Sequence, residues 1–189
     1  MVAQIVRSIV MPNGIVTAHA DRKIIFKPVN GIERIAKLPR RVTVMMACKG
    51  TEGMVFRLLV GDAGGSVHIL SLPELKFIQS THLSHNSVTA LALHEPIGKK
   101  MVVAGLENGE IHAIGDNLTN GSLELFKLEN SIGLICSNEE ILIIHSGWVR
   151  EVRHWNGDPV KPARRWFEPP IPPNRRNSTQ LTLPKAAPA

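Results

Sequence analysis

Leu58-Leu59-Val60-Gly61-Asp62-Ala63-Gly64-Gly65-Ser66-Val67-His68-Ile69 is the stretch that decides how this chain folds. It reads as an apolar run, a glycine, a short turn and a second apolar run. The same pattern returns in Met101-Val102-Val103-Ala104-Gly105-Leu106-Glu107-Asn108-Gly109-Glu110-Ile111-His112-Ala113. Gly64-Gly65 and Asn108-Gly109 tolerate the positive φ of a tight two-residue hairpin, so each stretch predicts a pair of antiparallel strands. Outward from these hairpins, Val-, Ile- and Leu-rich runs of roughly four to eight residues alternate with turn residues. No segment sustains an apolar stripe at helical spacing, so the body is expected to be nearly all β.

Aligning the apolar residue after each turn gives Ile24, Val67, Ile111 and Val152, spaced 43, 44 and 41 residues apart. A period of about 40 to 45 residues with four short strands per unit is the interval expected of β-propeller blades. The first unit has strands at Ile5–Val10, Ile15–Ala20, Lys23–Lys27 and Ile32–Leu38; the second at Val42–Cys48, Val55–Gly61, Ser66–Ser71 and Leu75–Ser80. The third has Val88–Leu93, Met101–Gly105, Glu110–Ile114 and Leu123–Leu128; the fourth has Ile132–Cys136, Ile141–Ile144, Val149–Trp155 and Ala163–Phe167. The expected fold is an all-β, propeller-like array of about four four-stranded antiparallel blades, at 1–40, 41–85, 86–130 and 131–167.

His85-Asn86-Ser87-Val88-Thr89-Ala90-Leu91-Ala92-Leu93-His94-Glu95-Pro96-Ile97-Gly98, followed by Met101–Gly105 and Asn108-Gly109-Glu110-Ile111, resembles the core of a WD repeat. That family places a His before the first strand, a Pro/Gly turn between the first two strands and an Asp-Gly turn before the third. Trp155-Asn156 stands where a closing Trp-Asp pair would be in the fourth unit. The resemblance is clearest over residues 42–115. The chain departs from it at Leu70-Ser71 and Ile114-Gly115, which hold the closing positions, and at Gly64 and Asn108, which hold the turn Asp. The His, Ser/Thr, Asp and Trp network that braces such blades is therefore expected to be largely missing. The resemblance implies a scaffold that binds other proteins, with His85 in a bracing role.

Propellers close with roughly four to eight blades, and an open array leaves a sheet face exposed at each end. Four blades can close as a small ring, join a second copy or another protein, or belong to a longer propeller. The last two are favoured, because WD-repeat rings resemble larger closures.

No apolar run approaches the roughly 18 to 20 residues that cross a bilayer. Arg7 and Asn13 interrupt the apolar N-terminal residues, so no signal-peptide core is present, and a cytoplasmic or nuclear location is expected. The two cysteines, Cys48 and Cys136, lie in separate strand-like runs without metal-ligand spacing, which reads as two free thiols. From residue 150 onward there are eight Lys/Arg against three acids, out of a net charge of +6, so the body is near neutral and the tail basic. Residues 168–189 form a Pro-rich basic tail expected to be disordered. Within it Pro170-Ile171-Pro172-Pro173-Asn174-Arg175 fits a Pro-x-x-Pro-x-Arg pattern that docks on an aromatic groove.

Eight histidines raise the question of chemistry, yet six are scattered and only His82 and His85 are close, with no metal-binding spacing. Gly61–Gly65 lies between strands and serves turn geometry, not a phosphate-binding helix. Without a nucleophile elbow either, the sequence supports no catalytic, cofactor or metal site. The basic tail suggests RNA association as an alternative, although a chain with no tyrosine and 4% aromatics offers little stacking surface. The expected function is a non-catalytic scaffold for other proteins, with self-association or a partner chain completing the propeller. Candidate partner-binding residues are Asp62, His82, His85, Glu107, Asn108, Trp148, Trp155, Pro170, Pro173 and Arg175, since loops carry recognition and Trp and Arg anchor interfaces.

Overall fold

The computed structural model describes residues 3–49, 56–94, 101–115, 121–137, 141–154 and 158. All regular structure among them is β, in four antiparallel sheets that follow one another along the chain. Sheet 1 holds β1 (Ile5–Met11), β2 (Gly14–His19), β3 (Lys23–Pro28) and β4 (Arg34–Lys37); sheet 2 holds β5 (Val42–Lys49), β6 (Phe56–Asp62), β7 (Ser66–Ser71) and β8 (Phe77–His82). Sheet 3 holds β9 (Val88–His94), β10 (Met101–Leu106), β11 (Glu110–Gly115) and β12 (Ser122–Lys127). Sheet 4 holds β13 (Ile132–Ser137), β14 (Ile141–Ser146) and β15 (Val149–His154). In each sheet the strands lie side by side in chain order, so every connection is local.

Sheet 4 has three strands among the described residues, and the fourth strand expected at 163–167 lies outside them. Two expectations need correction. The strand expected from Leu75 begins at Phe77, because Leu75 takes a φ of 54° and its amide bonds the Ser71 carbonyl at 2.9 Å, closing a turn. In sheet 4 the register pairs His145 with Arg150, just as Gly61 pairs with Val67 and Gly105 with Ile111. Arg150, not Val152, is therefore the equivalent of Ile24, Val67 and Ile111.

The sheets stack face to face, and side-chain alternation divides the core accordingly. On β6, Leu58 and Val60 join the core shared with sheet 1, while Leu59 joins the core shared with sheet 3. On β10, Val102 and Ala104 face sheet 2 and Val103 faces sheet 4. Each Leu, Ile or Val so buried contributes about 1.5–3 kcal/mol relative to exposure. The first strands pack in order, β1 on β5, β5 on β9 and β9 on β13, and no comparable contact among the described residues joins sheet 4 back to sheet 1.

A bulge recurs at one position of every first strand, after Ile5, Val42, Val88 and Ile132. One extra residue reverses the alternation. Val42 and Val44 thus face opposite sheets, as do Val88 and Ala90. The extra residue is Thr in two cases, and its hydroxyl bridges sheets. Thr43 Oγ1 donates to the Gly61 carbonyl at 3.0 Å and is also in reach of the Val88 carbonyl, while Thr89 Oγ1 does the same with Gly105 and Ile132. Where those sheets meet, glycine is required: a Cβ on Gly61 would strike Val88, and one on Gly105 would strike Ile132. Each junction is thus an apolar plug from the next sheet set against a residue without a side chain.

Candidate functional site

Antiparallel order brings the β2–β3, β6–β7, β10–β11 and β14–β15 turns to the same end as the links that lead from one sheet to the next. The first three turns share one form, and at Gly64-Gly65 and Asn108-Gly109 it replaces the expected two-residue hairpin. The amides of Arg22, Gly65 and Gly109 bond the carbonyls of His19, Asp62 and Leu106 at 3.1, 3.2 and 3.1 Å, and these three residues have φ of 72°, 78° and 87°. This is a four-residue turn followed by a left-handed residue. Of these four turns, β14–β15 alone has a two-residue loop, Gly147-Trp148, between the paired Ser146 and Val149.

The turns are fastened to the links. The carbonyls of Arg22, Gly65 and Gly109 each accept an amide 2.9 Å away, from Leu38, Leu83 and Leu128. The amides of Ala20, Ala63 and Glu107 donate to the carbonyls of Gln4, Arg41 and Ser87 at 2.8, 2.9 and 2.9 Å. Backbone bonds therefore hold this end of the array as one layer, on which side chains can be placed.

In sheet 2 the layer is anchored by Asp62, which is 1% exposed, and His68, which is 3% exposed. Asp62 Oδ2 lies 2.9 Å from His68 Nε2, while Oδ1 accepts the amides of Gly64 and Ser66 at 2.8 and 2.9 Å. His68 Nδ1 lies 2.8 Å from Ser80 Oγ, and the Phe77 ring meets the imidazole edge-on. Burial alone would raise the Asp62 pKa. The His68 hydrogen bond and the two turn amides outweigh it and hold the carboxyl below 3.8. Sheet 2 is thus braced by a network of its own, built on Asp62, His68 of β7 and Ser80 of β8, with neither His85 nor a Trp in it. Although Ser80, His68 and Asp62 are linked in the order of a nucleophilic relay, Ser80 lines neither of the two depressions described next.

Beside this brace opens a cleft of about 690 Å³. Its walls are the first turn (Arg22), the link between sheets 1 and 2 (Arg40, Arg41), the second turn (Gly64), the end of β8 (His82) and the link that follows it (His85). Arg22 Nη1 donates to the Pro39 carbonyl at 3.1 Å. The Arg40 stem lies across Gly64, where an added Cβ would sit 2.9 Å from Arg40 Cγ. His82 Nδ1 is 3.3 Å from Ser66 Oγ, and its ring is 5.2 Å from that of His85. A second depression of about 530 Å³ runs along the first strands and shares Arg41 with the cleft.

Asp62, His82 and His85 therefore meet at one cleft. Glu107 is exposed on the third turn, where Asn108 Oδ1 accepts the Glu110 amide at 3.3 Å, and Trp148 stands fully exposed on the fourth. Trp155, Pro170, Pro173 and Arg175 lie outside the described residues. Sequence reasoning missed Arg22, Arg40 and Arg41. The basic pair after Pro39 was a readable signal, because it falls between two predicted strands.

Among the described residues no group of three or more His, Cys, Asp or Glu could hold a metal ion, and no helix is long and apolar enough to cross a membrane. No family model matches the chain, and no curated protein does. Two computationally designed proteins are among the solved structures that share its fold. The crystal structure of the computationally designed Ika4 protein is 18% identical with a TM-score of 0.67, covering 80% of this chain and 91% of that one. The crystal structure of the computationally designed Ika8 protein is 18% identical with a TM-score of 0.64, covering 80% of this chain and 46% of that one.

Proposed function

We propose that this chain is a non-catalytic protein–protein interaction scaffold of the WD-repeat type, its four sheets serving as β-propeller blades in a larger assembly. The observation that carries this reading is a junction repeated inside the array and left unmet at both ends. Val88 lies against Gly61 and Ile132 against Gly105, while Val42 and Ala18 share the first core at the same register. Ile5 occupies the plug position of sheet 1, where no sheet among the described residues covers it, and it is 54% exposed. Val10, Ile15 and Ile35 are also exposed on this sheet, as Leu134 is on sheet 4. Unfilled apolar sheet faces of this kind mark interaction sites.

The two ends are poorly matched to each other. At the position of Gly61 and Gly105, sheet 4 carries His145, a residue with a large side chain where the inner junctions have none. A junction between the fourth sheet of one copy and the first sheet of another is then weaker than those inside the array. This yields a gain-of-function test. His145→Gly should create the missing socket and tighten self-association at least about tenfold, because burying an Ile side chain is worth roughly 1.5–3 kcal/mol. Sedimentation equilibrium measures the gain, and Ile5→Asp in the same background should remove it. No tightening, or tightening that survives Ile5→Asp, would show that the ends are not blade junctions.

A further inference from the structure

We propose that the cleft formed by Arg22, Arg40, Arg41, His82 and His85 docks an acidic segment of a partner polypeptide. The inference rests on the scaffold reading and names the chemistry of one partner.

The charge of the cleft is one-sided. Three guanidinium groups line it, and the one acid in its wall, Asp62, is already engaged by His68 and two amides. A guanidinium presents a planar fork that bonds a carboxylate through two parallel N–H groups, an arrangement stronger and more directional than a lysine contact.

The site is also preformed. Arg22 is tied to Pro39, Arg40 lies along the bare face of Gly64, and His82 is held beside Ser66. The backbone beneath them is fixed by the bonds between turns and links. Side chains already ordered lose less conformational freedom when a ligand arrives.

Shape selects the ligand class. A depression of about 690 Å³ that crosses two turns and two links is far larger than one phosphate or carboxylate group. It suits a run of side chains on an extended chain. No Phe or Trp lines it, so the rings it offers a base are the small imidazoles of His82 and His85, a poor stacking platform, which favours polypeptide over nucleic acid. The chain's own segment from residue 150 is basic and carries the wrong charge to occupy it.

Fluorescence anisotropy tests this with the full chain and a labelled peptide of alternating Asp, Glu and Ser. Arg40→Glu/Arg41→Glu should weaken binding at least about tenfold, as expected when a like charge replaces a partner. Lys27→Glu/Lys76→Glu, which changes the same charge at the opposite end of the strands, should change it less than about twofold. Thermal melts confirm that each variant folds, and Arg41→Gln, with an expected loss of intermediate size, provides a milder variant. Inorganic phosphate should compete only weakly. Equal loss in both double variants would reveal unlocalised charge attraction and overturn the proposal. So would absence of binding at low salt, or displacement of the peptide by an RNA oligonucleotide more readily than by the unlabelled peptide. A cleft that fails while His145→Gly still tightens association would remove this partner and leave the scaffold reading standing.

Discussion

Gly109→Ala is expected to lower the melting temperature by roughly 6–12 °C, corresponding to a loss of about 3 kcal/mol in a domain of this size. Two costs combine. Gly109 has a φ of 87°, a region where a Cβ meets the following carbonyl oxygen. An added Cβ would also run into the Leu128 carbonyl, the group whose own amide bonds Gly109. Gly65 stands in the same relation to the Ser84 carbonyl, so Gly65→Ala should cost about as much. Gly121 separates the two costs, because it has a φ of 77° with nothing near its Cβ position, and Gly121→Ala should cost about 1 kcal/mol. Gly115 has open space and no positive φ, so Gly115→Ala should change stability by less than about 0.5 kcal/mol. Should Gly109→Ala melt no lower than Gly121→Ala, the turns and links are not the rigid layer described above.

The second large effect is expected at the brace. Asp62→Ala strands an almost fully buried imidazole and two turn amides, and should cost about 3 kcal/mol, the range for breaking a buried charged hydrogen-bond pair. The pH dependence follows from the depressed carboxyl. Because the folded pKa lies below the unfolded one, the stabilisation is complete above the ordinary carboxylate value of about 4 and is lost as pH falls through the folded value. Urea midpoints measured from pH 6 down to pH 2.5 should therefore fall more steeply for the parent chain than for Asp62→Asn, which has no proton to take up. Parallel acid limbs would show that Asp62 does not supply this part of the stability.

Much of the architecture can be read from the hairpins. Gly61 to Ile69 shows where a strand ends and its partner begins, and the spacing of Ile24, Val67 and Ile111 matches the observed register of sheets 1 to 3. The fourth unit slipped to Val152 because the alignment followed apolar residues, the equivalent position holds Arg150, and Val152 is the next apolar residue on the same side of β15. The bulges were invisible for a different reason. Thr43 and Thr89 are ordinary strand residues, and only tertiary contact with the next sheet reveals their double role. The brace was sought at family positions, whereas the alternation on β7 turned His68 toward Asp62. The cleft depends on proximity between links far apart in the chain, so Arg40 and Arg41 gained meaning only when the fold set them beside His82 and His85.

The central claim is that the four sheets form an open array whose end faces are covered by other protein. Light scattering coupled to gel filtration, from low micromolar to near millimolar chain, tests it most directly. With apolar faces unfilled at both ends, the weight-average mass should climb above the 20.7 kDa of one chain as concentration rises. A single species that stays at 20.7 kDa throughout would contradict the account, since it would mean that the end sheets are already closed or need no partner.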